Sequence, residues 1–244
     1  MTLSGPPDRA ALQDAMILHR RNYRETSLLL EALTYERGRL SLLAKGAKRG
    51  RASDAQRLQS FMLLRISWVG RGELPVLTAV EAAGEAIALS GTALYCGFYL
   101  NELLLRLLPP QDPCPEVFQL YLGTLARLAA APQPEPTLRA FEVELLSKIG
   151  YGLCLDREGG SGKPVDPAKT YAYLIDHGPV ETGPGRTDGI RGSTLLGLSR
   201  GSLDSPEALR ESKCLLRRVI QHRLDGRALK SRDLFQPLMK PARP

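Results

Sequence analysis

The chain has 244 residues, of which 43 % are hydrophobic and 24 % charged, a mix that excludes wholesale disorder and suits one large or two small globular domains. Four scattered cysteines, Cys96, Cys114, Cys154 and Cys214, exclude a disulfide framework and fit a reducing cytosol. The net charge of +7 is uneven: +6 over residues 1–80, −4 over 81–203 and +5 over 204–244, so a polyanionic partner is expected at the basic ends and another kind of partner at the acidic middle.

The opening stretch "MTLSGPPDRAALQDAMIL" lacks an apolar core of signal-peptide length. Five short apolar runs then read as strands: "AMILHR" (15–20), "TSLLLEALT" (26–34), "RLSLLAK" (39–45), "FMLLRISWV" (61–69) and "LPVLTAV" (74–80). By periodicity alone the second could also be a helical turn. Five strands with one longer, basic connection predict a small β-barrel over residues 1–80.

After Val80 the apolar period lengthens from about two to about 3.6, predicting a helical domain over 81–244. "ALYCGFYLNELLLRLL" is apolar most of the way round and stops at Pro109-Pro110, as a buried central helix would. Asn101, Glu102 and Arg106 interrupt it and exclude a membrane span. A helix from about Pro115 to Ala130 follows, then "PQPEP" as a spacer, then "TLRAFEVELLSKIG" with Gly150 placed to cap. Residues 151–193 are dense in Gly and Pro and read as an irregular insertion. The last long helix opens on Ser205 as N-cap with Pro206 at its first position and ends near Asp225-Gly226.

Patterns that carry chemistry are incomplete. His19, His177 and His222 are far apart and lie in no metalloprotease-like pattern. "REGGSGKP" (157–164) has Arg and Pro where a phosphate loop needs its first Gly and its Ser or Thr, and "GPGRTD" (183–188) lacks the third glycine of a dinucleotide fingerprint. No assembled catalytic site is expected, and no cofactor.

The informative stretch is "LLAKGAKRGRAS". Lys45, Lys48, Arg49 and Arg51 stand there with no acid before Asp54, and Arg20, Arg21, Arg24, Arg37 and Arg39 lie nearby in sequence. A bare solvated loop is one reading. A loop on a barrel that grips phosphates, with Gly46 and Gly50 allowing close approach, is the other. Tyr23 and Tyr35 are the better base-stacking candidates, whereas Phe61 and Trp68 read as core. A second basic region combines Arg210, Lys213 and Arg217 on one helix face with Arg227, Lys230 and Arg232 in "GRALKSRDLF".

Five blocks in order, "ETSLLLEALTYERGRLSLLAKGAKR", "YLNELLLRLL", "LRAFEVELL…IGYG", "GKPVDP" and "GRALKSRDLF", resemble the RecO family of bacterial DNA repair proteins, of the proteobacterial type, over about residues 12–236. The resemblance implies an α+β fold: an N-terminal five-stranded OB-fold barrel, an all-α helical domain and a small irregular lobe. It implies a non-enzymatic, cytoplasmic and nucleoid-associated protein that binds single- and double-stranded DNA and anneals complementary strands. Implied partners are the C-terminal tail of the single-strand-binding protein SSB, RecR, and RecA indirectly. The DNA-binding set is then expected at Arg24, Arg39, Lys45, Lys48, Arg49, Arg51, Arg227, Lys230 and Arg232. By the same resemblance Arg139, in "LR-x-FE", would receive the carboxylate of the SSB tail, the alternative being an exposed Arg paired with Glu142. Many family members hold a zinc ribbon of CxxC pairs after the "GYG" block. Here Cys154 stands in the apolar slot and Glu158 where a cysteine would be expected, so no zinc is predicted. The rival readings are an OB-fold RNA binder of the translation machinery and, behind it, a peripheral membrane protein.

Overall fold

Alternating inward and outward side chains make the N-terminal residues a barrel. The computed structural model describes residues 11–49, 54–70, 72–182 and 189–231. Five strands, β1 (Gln13–Tyr23), β2 (Ser27–Thr34), β3 (Gly38–Ala44), β4 (Met62–Val69) and β5 (Val76–Ala86), close in the order β1-β2-β3-β5-β4. All pairings are antiparallel except β3 with β5, which meet in parallel at Leu43 and Val76. A short helix, α1 (Asp54–Arg57), lies between β3 and β4. This is the predicted OB-like barrel, and "TSLLLEALT" is strand. Alternate positions such as Leu28, Leu30, Leu40, Leu42, Leu64 and Ile66 fill the interior, Trp68 joins them, and each is at most 6 % exposed.

The tight β2–β3 turn follows from local chemistry. The Arg37 N–H donates to Thr34 Oγ1 (3.1 Å), and that hydroxyl donates to the Gly38 carbonyl (2.9 Å). Gly38 has φ +65°, and a Cβ there would lie 1.9 Å from the Asp112 carbonyl oxygen, so no other residue fits without displacing backbone.

Two helices complete this unit: α2 (Gly91–Leu107), ending before the expected Pro109-Pro110 stop, and α3 (Pro115–Ala130). The register of β1 against β2 slips between Ile17 and His19, leaving Leu18 as the extra residue of a bulge. Asn101 of α2 donates its amide to the Leu18 carbonyl at 2.8 Å, and the buried Tyr121 hydroxyl of α3 donates to Asn101 Oδ1. Burial pushes the Tyr121 phenol far up, so it remains a hydrogen-bond donor at every physiological pH. Gly97 lets α2 approach Phe61, whose ring atoms would stand 2.9 Å from a Cβ.

By compactness the chain divides into two units, one reaching Ala129 and resuming at Leu229, the other spanning Ala130–Ala228. The second contains α4 (Pro134–Lys148), β6 (Thr170–Leu174), β7 (Gly178–Glu181), β8 (Ile190–Arg191), α5 (Gly192–Arg200) and α6 (Pro206–Arg223). Helix α4 opens inside the expected proline spacer, because Pro134 at its first turn needs no N–H partner there. Ser205 caps α6 as expected, accepting the Ala208 N–H at 3.1 Å. The region read as irregular carries a small sheet, β7-β6-β8, around the buried rings of Tyr171 and Tyr173. Burial also raises the Tyr173 phenol, to about 12.

Candidate nucleic-acid interface

The loop after β3 is held by its backbone and leaves its cations to solvent. Gly46 N–H donates to Ser27 Oγ (3.3 Å), Lys48 N–H to the Thr26 carbonyl (3.0 Å), and Ala55 N–H to the Ala47 carbonyl (3.0 Å). Ala47 is 5 % exposed and plugs into the barrel core. The left-handed Gly46 (φ +66°) permits the Arg49 N–H to close a turn onto its carbonyl at 2.9 Å. Lys45, Lys48 and Arg49 are exposed and pair with no carboxylate among the described residues. Arg51 lies outside the described residues.

These bonds bring the loop beside the β1–β2 hairpin, which sequence distance concealed. Lys48 shares with Arg20, Arg21, Asn22, Leu28 and Ala55 the lining of an open depression of about 440 Å³. Arg20 is anchored within it, its Nη1 donating to the carbonyls of Ala55 (2.7 Å) and Leu58 (3.3 Å). At the hairpin tip Arg24 is exposed, takes φ +53°, and holds its guanidinium 5.4 Å from the Tyr23 ring centre. Arg21 near the end of β1, Arg24 in the β1–β2 turn, and Lys45, Lys48 and Arg49 after β3 thus lie on adjoining parts of one barrel, with high positive charge and little acid. Arg21 escaped the expected set. Its signal was the Arg20-Arg21 doublet, but only the hairpin–loop contact sets it beside Lys48.

Arg39 is placed differently. It stands within β3, 2.9 Å from Glu31, and its Nε donates to the Leu108 carbonyl at 3.1 Å. Glu31 also accepts from Ser41 Oγ (2.6 Å), so Arg39 is a fixed member of a structural network and stands apart from the loop cations. Phe61 and Trp68 are core, each 6 % exposed. Tyr35 is 38 % exposed but sets its ring edge-on to Phe118, with centres 5.7 Å apart.

On α6, Arg210, Lys213 and Arg217 are all exposed; Arg210 pairs with Glu207 and Lys213 with Glu135, each at 2.8 Å. Arg227 is an exposed residue of the second unit. Lys230, in the first unit, exposes its side chain while its N–H donates to Glu102 Oε1 at 2.9 Å. Arg232 lies outside the described residues.

Arg139 on α4 is only 6 % exposed, with Nη1 3.0 Å from the buried Glu142 carboxylate. The pair named as the alternative is therefore present, but on a buried arginine. Among the described residues its Nε has no hydrogen-bond partner.

The residues at the family's zinc position do not fit the metal. Cys154 Sγ donates to the Arg157 carbonyl (3.3 Å) and Glu158 accepts from Ser161 (2.7 Å). Among the described residues no three His, Cys, Asp or Glu side chains gather as a ligand set. Nor is any helix of the described residues long and apolar enough to cross a membrane.

Residues 10–85 match the family model "Recombination protein O N terminal", and residues 88–233 match "Recombination protein O C terminal". Three curated proteins, each called DNA repair protein RecO, illustrate the similarity. That of Methylococcus capsulatus is 53 % identical over 232 residues, covering 95 % of this chain and 96 % of its own. That of Nitrosococcus oceani is 46 % identical over 234 residues, covering 95 % of both. That of Pseudomonas paraeruginosa is 44 % identical over 229 residues, covering 93 % of this chain and 95 % of its own.

Proposed function

This chain belongs to the RecO family of DNA repair proteins, and we propose that it serves DNA repair as a mediator working by binding alone. The barrel takes single- and double-stranded DNA by its phosphates, without regard to sequence, through Lys45, Lys48 and Arg49 together with Arg21 and Arg24. The observation that carries this reading is the loop itself: three exposed cations without carboxylate partners among the described residues, on a backbone pinned by three hydrogen bonds. Flexible cations on a fixed frame favour phosphate contact over reading of base edges. Two strands held side by side, their charges partly neutralised, pair faster because repulsion falls and local concentration rises. No nucleotide hydrolysis enters the scheme.

The second unit docks the C-terminal tail of SSB, bringing the protein to coated single strands in the cytoplasm, at the nucleoid. With RecR it then assists the loading of RecA. Arg139 is the residue proposed to meet the tail's terminal carboxylate, supported by a guanidinium pre-oriented on Glu142 with its Nε unsatisfied among the described residues. Its burial requires α4 or its neighbours to give slightly when the tail arrives.

The decisive test compares single-stranded DNA with RNA of the same sequence across a salt series, for the intact chain and for the charge-reversed variant Lys48→Glu with Arg49→Glu. Binding of DNA, weakened by salt and by the variant, supports the reading. Preference for RNA would favour the translation-machinery alternative.

A further inference from the structure

We infer that Glu102 is a positioning residue for DNA binding, a two-point clamp that seats the chain at Lys230 and Ser231 on the first unit and so presents the Lys230 cation from it. The inference rests on the DNA-binding reading above. Glu102 lies on α2 next to Asn101, which fastens that helix to the β1 bulge. Its Oε1 accepts the Lys230 N–H at 2.9 Å and its Oε2 the Ser231 N–H at 2.7 Å, so each oxygen takes one of two consecutive backbone donors. Leu229 and Ser231 are buried, 4 % and 5 % exposed, while the Lys230 side chain between them is exposed. Bonds from N–H groups to a carboxylate are charge-assisted and directional. A clamp on the backbone at both 230 and 231 sets the direction of the intervening Cα–Cβ bond, and with it the lysine's. The two adjacent residues of α2 therefore hold a barrel strand and the returning chain to one helix.

The sign of the effect separates this role from simple electrostatics. Deleting an acid from a basic, DNA-binding surface ordinarily strengthens polyanion binding. A clamp predicts the reverse. Binding to an oligothymidylate would be measured by fluorescence anisotropy across a salt series for the intact chain and for Glu102→Ala, Glu102→Gln, Lys230→Ala and the Glu102→Ala/Lys230→Ala pair. Expected are a roughly three- to tenfold loss for Glu102→Ala and a salt slope shallower by about 0.7, the single-strand value for one neutralised phosphate. Glu102→Gln, which keeps one acceptor oxygen, should fall between. Lys230→Ala should match Glu102→Ala, and the pair should lose no more than either alone. Equal or tighter binding by both Glu102 variants, or full additivity in the pair, overturns the clamp. Glu102→Gln keeps the test valid if Glu102→Ala fails to fold. Should the intact chain bind no DNA, the parent reading falls as well; should it bind and lose affinity on loop charge reversal while Glu102→Ala gains, the clamp alone falls.

Discussion

The side-chain amide of Asn101 donates to the carbonyl of Leu18, 83 residues away, across 2.8 Å. Leu18 is the surplus residue of a bulge, without a register partner in the β1–β2 ladder. Asn101 gives its carbonyl a donor from a site 2 % exposed, and Tyr121 completes the amide's own bonding. Replacing Asn101 by Leu keeps the volume but leaves a buried carbonyl and a buried phenol without partners. A loss of about 1–3 kcal/mol in urea unfolding is expected. A change below about 0.3 kcal/mol would show that the bracket contributes nothing.

Charge reversal in the loop, Lys48→Glu with Arg49→Glu, should weaken binding to every DNA sequence alike. The slope of log K against log salt should flatten by about 0.7 for each single-strand phosphate that the loop no longer neutralises. An unchanged slope counts against the loop as the phosphate grip. Arg39→Ala, by contrast, removes bonds to Glu31 and Leu108, so its first effect should be on melting temperature.

Arg139→Ala should reduce binding of an SSB-tail peptide while sparing naked-DNA binding. Equal loss of both would refute a division of labour between the units. The variant also takes from the Glu142 carboxylate, 1 % exposed, the cation 3.0 Å away, so some destabilisation is expected. The readout is therefore the ratio of peptide to DNA affinity on protein shown to be folded.

Gly38→Ala combines a left-handed φ of +65° with a Cβ 1.9 Å from the Asp112 carbonyl oxygen. Backbone strain of this kind costs on the order of 1–3 kcal/mol before the clash is counted. Thermal unfolding should show a lowered midpoint. Gly46→Ala, with the same sign of φ but only Arg49 Cδ near, at 3.9 Å, should cost less.

Glu102 also gives a pH signature. Burial alone would raise its carboxyl, but hydrogen bonds from Ser231 and Lys230 and the Arg106 charge outweigh it and hold the group below its ordinary 4.5. A carboxyl depressed in the folded state stabilises fully above its unfolded value and loses that contribution as pH falls through the folded one. The stability gap between the intact chain and Glu102→Gln should therefore be widest near neutrality and close in acid. A gap independent of pH down to about 3 would exclude an ionised clamp.

Much of this protein was legible in its residues taken in order. Alternation over 15–20, 26–34, 39–45 and 61–69 specified strands, and 3.6-residue periodicity with Pro109-Pro110, Ser205 and Gly150 specified helices, because both are properties of neighbours on one chain. The lobe's β6, β7 and β8 were missed, since strands of five, four and two residues are too short to show a period. Likewise α5 was not read, hidden after a run of glycine and proline.

What composition could not rank was the cations. Lys48 and Arg39 are both basic residues of the same N-terminal run, yet one reaches solvent and the other is bound in place. The difference is register: Glu31 opposes Ser41, which puts Arg39 diagonally beside it, while Lys48 stands beyond the strand on a backbone-bonded loop, exposed and paired with no described acid. Burial of Arg139, the Glu102 clamp and the meeting of Arg21 with Lys48 are of the same kind. Each depends on which segments the fold brings together, and the charge-assisted bonds of Arg139 and Glu102 act only over about three ångströms.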